Sequence, residues 1–550
     1  MRLIVPVASA YSALRGIMSR PMSSFDHGAD ESNIRSFLRE IYERTSPRNI
    51  MSVFVTGGGS TSIQWLFTVP GASRSLMDAG VVYSRSAVES FIKYHPHDIS
   101  ASSCSSVMAS VMADASWRQA NKLLLAECRD FNDLRDAHVF GISCSASLRS
   151  DIPKKSAHRV FVASTTQELS NVYSIEFEKG LRSREAEDNA CSRLILEAIA
   201  RASKTEALAT DYLFPAESKS INTSLRRDDD AAIETILSSS LKRRDVLDRI
   251  YSKDVQQVLF IKKVSRGEST DTRDDETNVS LNRDFVILED VPLPRGTLVF
   301  PGSFNPLHEG HVALVVAALQ KMSACVPPMS SPETTLSGSP NCSEKCRGND
   351  SALDGWKRIP VVFEIAAINA DKPPLPREET IRRIQQFDPF LNPVLKAAGL
   401  TNLAVCVTSE PLFLQKSKLF LDCNFLIGTD TMSRIINPKY YGGDPAAEQR
   451  AAELPIGERA AEILRLQQQR AFAMVSALSI IMERNCRFIV GGRVADQPGT
   501  SEEQFVTLQK AFESSAVGLP SSLRASLFEG LTEHEFRVDL SSTEIRKRGL

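Results

Sequence analysis

The 550-residue sequence lacks any uninterrupted run of about 18 or more apolar residues. A helix that spans a bilayer needs roughly 20 such residues, so no transmembrane helix is predicted and no membrane partner is expected. The sequence also lacks an excess of one charge, because 65 Lys and Arg residues stand against 67 Asp and Glu residues, a net charge of −2. This balance gives no reason to expect a nucleic-acid partner or an anionic membrane partner.

Cysteine is scarce and dispersed, with ten residues in the whole chain. This spread is unlike the disulfide framework of a small secreted protein, so a reducing compartment, the cytoplasm, is the expected location. The close pair Cys342 and Cys346 lies in a Ser/Pro-rich stretch with no His pair nearby. A structural zinc site needs about four ligands, so no metal-ligating residues are assigned.

The first residues lack acidic side chains, since none precedes Asp26. They contain Arg2, Arg15 and Arg20 together with several Ser and Ala residues. That composition is typical of organellar transit peptides. Residues 1–32 are therefore interpreted as a disordered or targeting segment, and a mitochondrial or other organellar location is the alternative to the cytoplasm.

The rest of the composition is ordinary for a globular protein, with 42% hydrophobic and 24% charged residues. Strand-like runs alternate with helix-like runs, which predicts two α/β domains, the first with a mostly parallel sheet. The first domain is predicted over 33–204 and the second over 296–550. A partly structured linker is predicted over 205–295, with 231–251 helical. Residues 322–355, dense in Ser, Pro, Thr, Gly and Asn, are predicted to be a disordered insertion.

One turn of the second domain, at residues 302–311, reads Gly-Ser-Phe-Asn-Pro-Leu-His-Glu-Gly-His. It follows a strand-like run and precedes an apolar helix-like run. Such a turn presents the free backbone N–H groups of a helix N-terminus, and the positive end of the helix dipole, to an anion. His308 and His311 face the same side of this helix start and can donate hydrogen bonds to phosphate oxygens. A pair of surface histidines in a turn is the alternative.

A second motif lies among the last residues, where Ser541-Ser-Thr-Glu-Ile-Arg places hydroxyl groups at a predicted helix start. Ser542 and Thr543 suit a helix N-terminus, and Arg546 adds a planar fork that fits phosphate. A plain helix cap is the alternative for this segment taken alone. With the first motif, it resembles the paired His-x-Gly-His and Ser-Ser-Thr-x-Ile-Arg signatures of the nucleotidylyltransferase superfamily, over 296–550 apart from the insertion.

The resemblance implies a Rossmann-like α/β domain with a parallel sheet. It implies an enzyme that joins ATP to a phosphorylated small-molecule acceptor, releases pyrophosphate and uses Mg²⁺ bound with the triphosphate. The catalytic residues that it implies are His308, His311 and Arg546. The nucleotide-binding residues that it implies are Gly302, Ser303, Phe304, Asn305, Gly310, Gly428, Asp430, Ser542 and Thr543.

Two more segments bear on the acceptor. A strand-like run ends at Gly428 and Asp430, similar to the Gly-x-Asp segment that contacts ribose in nicotinamide mononucleotide adenylyltransferases. An N-capping Asp is the alternative. Lys372 is implied as a substrate-binding residue, because 369–374 is similar to a substrate-side loop of that group; a surface turn is the alternative.

The expected function is therefore synthesis of a dinucleotide from ATP and nicotinamide or nicotinate mononucleotide, a step of NAD synthesis. One alternative is a cytidylyltransferase, or another adenylyltransferase, that acts on a different phosphorylated acceptor. Another is a non-catalytic nucleotide-binding regulatory protein. Assembly into a homo-oligomer is left open.

The first domain resembles the CinA C-terminal family, which includes nicotinamide mononucleotide deamidases. The matching segments are 56–58, 69–73, 80–84, 141–143 and 159–163. Phe54 stands where that family has a Ser thought to act in catalysis, and Val88 stands where it has a Lys. An apolar side chain can neither attack an amide nor transfer a proton, so no deamidase activity is expected. A retained role in nucleotide binding or oligomerisation is the alternative to a purely structural domain.

Overall fold

The chain folds into two compact α/β units, so the α/β class predicted from the sequence is confirmed. The computed structural model describes residues 27–92, 103–128, 130–153, 155–203, 237–264, 281–324, 352–368, 373–442, 445–496, 503–513 and 518–537. Unit 1 consists of Met1–Glu127, Asp136–Asp248 and Lys263–Val291. Unit 2 consists of Cys128–Arg135, Arg249–Lys262 and Pro292–Leu550.

Unit 1 is built on a six-stranded mixed sheet with the spatial order β2-β1-β3-β4-β5-β6. Its strands are β1 (Arg48–Thr56), β2 (Leu76–Val81), β3 (Ala137–Ser147), β4 (His158–Thr165), β5 (Leu169–Phe177) and β6 (Leu237–Lys242). β1 pairs in parallel with β2 and β3, whereas β3 to β6 are successively antiparallel. The mostly parallel sheet expected here is therefore limited to β1–β3. A parallel crossover needs about a dozen residues, and the connection from Thr165 to Leu169 is far shorter.

The described helices of unit 1 up to residue 203 are α1 (His27–Glu43), α2 (Ser60–Thr68), α3 (Arg85–Phe91), α4 (Ser106–Glu127) and α5 (Arg184–Ala202). Ile34, Phe37, Leu38 and Ile41 of α1 are all buried, so the predicted opening helix is confirmed. This helix begins at His27, ahead of the expected boundary at residue 33. An exposed Glu31–Arg35 ion pair, one helical turn apart, supports the additional turn.

Much of the stretch interpreted as a linker has regular structure. Its elements are β6, α6 (Val246–Tyr251), β7 (Gln257–Lys262), α7 (Leu281–Asp284) and β8 (Phe285–Glu289). The prediction of a helix over 231–251 is wrong for residues 237–242, because they form β6, which pairs antiparallel with β5. The Ser run at 238–240 has lower helix propensity than Ala or Leu, and the backbone hydrogen bonds of an edge strand are available instead.

The sheet of unit 2 has the strand order β16-β13-β12-β9-β10-β11-β7. Besides β7, its strands are β9 (Leu298–Pro301), β10 (Val361–Ala366), β11 (Leu403–Thr408), β12 (Asn424–Gly428), β13 (Arg487–Gly491) and β16 (Phe528–Gly530). The pairings from β16 through to β11 are parallel, and β7 lies antiparallel to β11. A separate antiparallel hairpin is formed by β14 (Arg493–Asp496) and β15 (Glu503–Val506).

The helices of unit 2 are α8 (Glu309–Ala324), α9 (Arg377–Gln385), α10 (Pro393–Ala398), α11 (Phe413–Leu419), α12 (Thr429–Ile435), α13 (Pro445–Glu453), α14 (Ile456–Glu483), α15 (Leu508–Glu513) and α16 (Ser521–Leu527). α8 extends to Ala324, so the first residues of the expected insertion 322–355 are helical. Residues 325–351 of that insertion lie outside the described residues. Among the described helices, none is both long enough and apolar enough to cross a bilayer.

The strand order of unit 2 reverses beside β9. After β9 the chain forms β10 and β11 on one side, and then returns to form β12, β13 and β16 on the other side. Open α/β sheets bind their ligands outside the carboxyl ends of the strands at such a reversal. The carboxyl ends of β9 and β12 therefore mark the position where this fold favours a ligand site.

Candidate functional site

The turn at residues 302–308 leads from β9 into α8 at the reversal of strand order. It is called here the phosphate turn, after the phosphate binding that the sequence predicts for it. Phe304 anchors the phosphate turn, since its side chain is fully buried and its backbone φ of 43° lies in the left-handed region. A Cβ atom on Gly302 would lie 2.6 Å from the Phe304 ring. Glycine at position 302 is therefore required for Phe304 to pack.

The Phe304 ring contacts several aromatic rings beneath the phosphate turn. Its centroid lies 5.3 Å from that of Phe300 and 5.4 Å from that of Phe363. It also lies 5.3 Å from the Phe387 centroid and 5.2 Å from the His311 centroid. These contacts join the turn, β9, β10 and the start of α8 into one packed unit, so the histidine has a fixed place relative to the sheet.

His308 and His311 lie together at the start of α8, with their ring centroids 3.7 Å apart. The backbone N–H of His308 donates to His311 Nδ1 at 3.3 Å, and the backbone N–H of His311 donates to His308 O at 3.0 Å. Because Nδ1 of His311 accepts a hydrogen bond, the proton of its neutral ring belongs on Nε2. That Nε2–H is the donor that His311 can offer to a ligand.

Both imidazoles are poor bases in this environment. Burial, and to a smaller extent the neighbouring His308, lowers the pKa of His311 to about 3. Burial also lowers the pKa of His308. In the ligand-free protein at neutral pH, the two rings are therefore neutral hydrogen-bond donors rather than cations.

The remaining predicted residues near the phosphate turn differ in exposure. Ser303 is exposed, Asn305 is partly buried, and Gly310 is buried in the first turn of α8. Asn305 Oδ1 accepts a hydrogen bond from Arg382 Nη2 at 2.5 Å. The side chain of Asn305 is thus oriented by a residue of α9.

The predicted Gly-x-Asp segment lies at the carboxyl end of β12, the strand next to β9. Gly428 ends the strand and is the N-cap of α12, with no capping hydrogen bond from a side chain. Asp430 is exposed in the first turn of α12, so it is not the N-cap residue itself. A Cβ atom on Gly428 would meet no atom within 4 Å, which leaves open space in front of this strand end.

Four predicted site residues, Lys372, Ser542, Thr543 and Arg546, lie outside the described residues. Their roles stay predictions. Among the described residues, no three His, Cys, Asp or Glu side chains are grouped to hold a metal ion.

Gln386, which no sequence motif singles out, contacts the phosphate turn from the end of α9. Its Nε2 donates to Phe304 O at 3.1 Å, and its Oε1 accepts from the backbone N–H of Leu307 at 2.8 Å. A Gln at the end of a charged helix has no sequence pattern that predicts such a contact. Only the tertiary structure brings it to the turn.

In unit 1, the two positions that differ from the deamidase pattern come together. Phe54 and Val88 belong to one apolar cluster, in which the Phe54 ring lies 4.1 Å from the Phe91 ring between centroids. The other buried members of this cluster are Ile92, Met108, Val111 and Met112. The place of the expected Ser and Lys is thus filled by close-packed apolar side chains, which offer neither a nucleophile nor a base.

In unit 1, residues 57–59, called here the glycine turn, lead into α2 and are contacted by the carboxylate of Asp188. The backbone N–H groups of Gly59 and Thr61 donate to Asp188 at 2.8 and 3.2 Å. The hydroxyl groups of Ser60 and Thr61 donate to it at 3.1 and 3.0 Å. An anionic ligand at this helix N-terminus would have to displace Asp188.

Comparison with known proteins gives partial similarities. No protein-family model matches the chain, and no curated protein matches it. Competence/damage inducible protein CihA from Agrobacterium tumefaciens is 17% identical, and the match covers 31% of this chain and 95% of that protein, with a TM-score of 0.24. A competence-damaged protein (CinA) superfamily protein from Escherichia coli is 11% identical, with coverages of 33% and 95% and a TM-score of 0.25.

A third similar structure is the competence damage-inducible protein A from Klebsiella pneumoniae. It is 13% identical, the match covers 32% of this chain and 97% of that protein, and the TM-score is 0.25. At TM-scores below 0.5, these likenesses carry no argument about activity.

Proposed function

We propose that unit 2 is a nucleotidylyltransferase, which joins ATP to a phosphorylated small-molecule acceptor and releases pyrophosphate. The observation that carries the proposal is the position of the phosphate turn, which leads from β9 into α8 where the strand order reverses. It brings His308 and His311 together at a helix N-terminus, where backbone N–H groups and the helix dipole favour an anion.

The proposed reaction is a displacement at the α-phosphorus of ATP. An acceptor phosphate oxygen forms the new P–O bond, the bond to the bridging oxygen breaks, and pyrophosphate leaves with that electron pair. The protein's contribution is positioning and charge stabilisation. The Nε2–H of neutral His311 donates to an oxygen that gains charge, and His308 acts beside it. Ser542, Thr543 and Arg546 are proposed to hold the β- and γ-phosphates.

Mg²⁺ is proposed to enter the site with the triphosphate. Magnesium in phosphate-transfer sites is often held by one or two carboxylates together with substrate phosphates. Asp430 is exposed in the first turn of α12, at the carboxyl end of β12, the strand next to β9. When bound, the ion would neutralise part of the triphosphate charge.

Nicotinamide or nicotinate mononucleotide is the proposed acceptor. Gly428 is compatible with this acceptor, because a Cβ atom placed there would meet no described atom within 4 Å. The assignment otherwise depends on the resemblance of the Gly428–Asp430 and 369–374 segments to adenylyltransferases of that group. Unit 1 is proposed to be a CinA-like domain without deamidase activity, since Phe54 and Val88 are part of an apolar cluster.

The deciding experiment follows pyrophosphate release from purified full-length protein with Mg²⁺, ATP or CTP, and a panel of phosphorylated acceptors. Release with ATP and either mononucleotide is expected. Release only with CTP, or only with another acceptor such as a pantetheine or polyol phosphate, would contradict the acceptor assignment. No release with any pair, together with nucleotide binding, would instead favour a regulatory protein.

A further inference from the structure

The phosphate turn is fastened at both ends by one side chain. The Gln386 amide donates to Phe304 O near the start of the turn and accepts from the Leu307 N–H near its end. Leu307 directly precedes His308 in the chain. The position of the first histidine therefore depends on a hydrogen bond that Gln386 makes one residue earlier.

We propose that Gln386 is a positioning residue for the nucleotidyl transfer, which sets the alignment of His308 and His311 without touching the substrate. This inference rests on the proposed function of unit 2. A misplacement of about 1 Å in a reacting group can cost roughly a hundredfold in rate, so a residue that fixes the turn can act on turnover from a distance.

A second residue of α9 supports the same arrangement from the outer side of the turn. Arg382 donates to Asn305 Oδ1 at 2.5 Å and is itself oriented by Glu379 through bonds of 2.6 and 2.7 Å. Hydrogen bonds from Arg382, and then from Arg383, lower the pKa of Glu379 to about 2. Glu379 is thus a carboxylate at neutral pH and keeps Arg382 in place.

The helix that carries these contacts begins at Arg377, shortly after the segment 369–374 that resembles a substrate-side loop. In chain order, β10 is followed by this segment and then by α9 and Gln386. Any change in the position of α9 would move both hydrogen bonds of Gln386 together. The phosphate turn is therefore held in place by Gln386 and Arg382, which lie outside the sequence motif of the turn itself.

The test compares two substitutions of the same kind at adjacent positions. Gln386→Leu keeps the approximate volume and removes both hydrogen bonds, whereas Gln385→Leu changes an exposed Gln at the end of α9. Gln386→Leu is expected to lower kcat for pyrophosphate release by about tenfold or more, with KM for ATP changed by less than about threefold. Gln385→Leu is expected to stay within about twofold of the wild-type rate. Gln386→Glu, which keeps the acceptor for Leu307, is expected to lie between them.

A second measurement does not depend on activity. NMR of ¹⁵N-labelled histidine in the full chain reports the tautomers and pKa values of His308 and His311. Gln386→Leu is expected to shift both signals, with the His311 pKa rising from its low value as the packing loosens; Gln385→Leu is expected to leave them unchanged. Unchanged kcat and unchanged signals in folded Gln386→Leu or Gln386→Glu would overturn the proposal. If the wild-type protein releases no pyrophosphate with any acceptor, the proposed function is overturned; shifted signals in Gln386→Leu would then still show that Gln386 aligns the two histidines.

Discussion

At the residue scale, the two imidazoles of the phosphate turn are neutral donors held at a helix start. We expect His311→Ala to lower the rate of pyrophosphate release by at least about a hundredfold, as loss of one donor to a developing charge does in other enzymes. The control is His534→Ala, because His534 is exposed outside the turn. Turnover assayed with saturating ATP checks the prediction. An unchanged rate for the His311 variant would mean that the transferred phosphate lies elsewhere.

The lowered pKa of His311 also makes stability depend on pH. Between the folded value of about 3 and the ordinary value of 6.5, the unfolded chain binds more protons than the folded chain. The free energy of unfolding should therefore fall as the pH drops below about 6.5. We expect His311→Gln to make this fall less steep, which denaturant unfolding at several pH values between 5 and 8 would measure. Equal slopes in the two proteins would contradict the assignment.

Asp188 closes the glycine turn of unit 1 with charge-assisted hydrogen bonds. Asp188→Asn keeps the shape of the side chain but removes its charge and places N–H donors against N–H donors. We expect the variant to lose about 1–3 kcal/mol of unfolding free energy. Glu185→Gln, at an exposed position in the first turn of the same helix, should cost less than about 1 kcal/mol. Equal denaturant midpoints for the two variants would show that the turn does not depend on this carboxylate.

At the element scale, regular hydrophobic spacing in the sequence was sufficient to predict a helix that buries one of its faces. The buried stripe of α1 was predictable because its four apolar residues recur at helical intervals. β6 was not predictable, because its serines carry no apolar pattern and only its pairing with β5 defines it. The phosphate turn could be found because its residue types are specific, whereas Gln386 could not, since its role comes from tertiary contacts alone.

A short segment between α4 and β3 was also not predictable from the sequence. Residues 128–135 belong to unit 2, where Phe131 and Leu134 are buried. The buried guanidinium of Arg135 donates to Lys262 O and Thr401 O, each at 2.7 Å. Neither composition nor periodicity assigns eight residues to a unit that otherwise begins more than a hundred residues later in the sequence.

At the scale of the whole molecule, a net charge of −2 is compatible with an anionic substrate. The ten residues 302–311 contain one acidic residue, Glu309, and no Lys or Arg. Under the proposed function, attraction of a phosphate to this turn would depend on backbone N–H groups, the dipole of α8 and neutral imidazole donors. These groups carry no net charge, so they do not contribute to the net charge of the chain.

Unit 2 is made of three separate chain segments, and this predicts which truncated fragments remain stable. A fragment of residues 296–550, the boundary suggested by the motifs, lacks both 128–135 and β7. β7 is buried along Gln257–Ile261 and pairs with β11, so its removal exposes a strand edge and apolar surface that favour aggregation. We expect this fragment to be less soluble and to unfold at a lower temperature than the full chain, with fragment 249–550, which keeps β7, in between. Scanning calorimetry and sedimentation of the three proteins would measure this order. A fragment 296–550 as stable and monodisperse as the full chain would contradict the assignment of β7 to the core of unit 2.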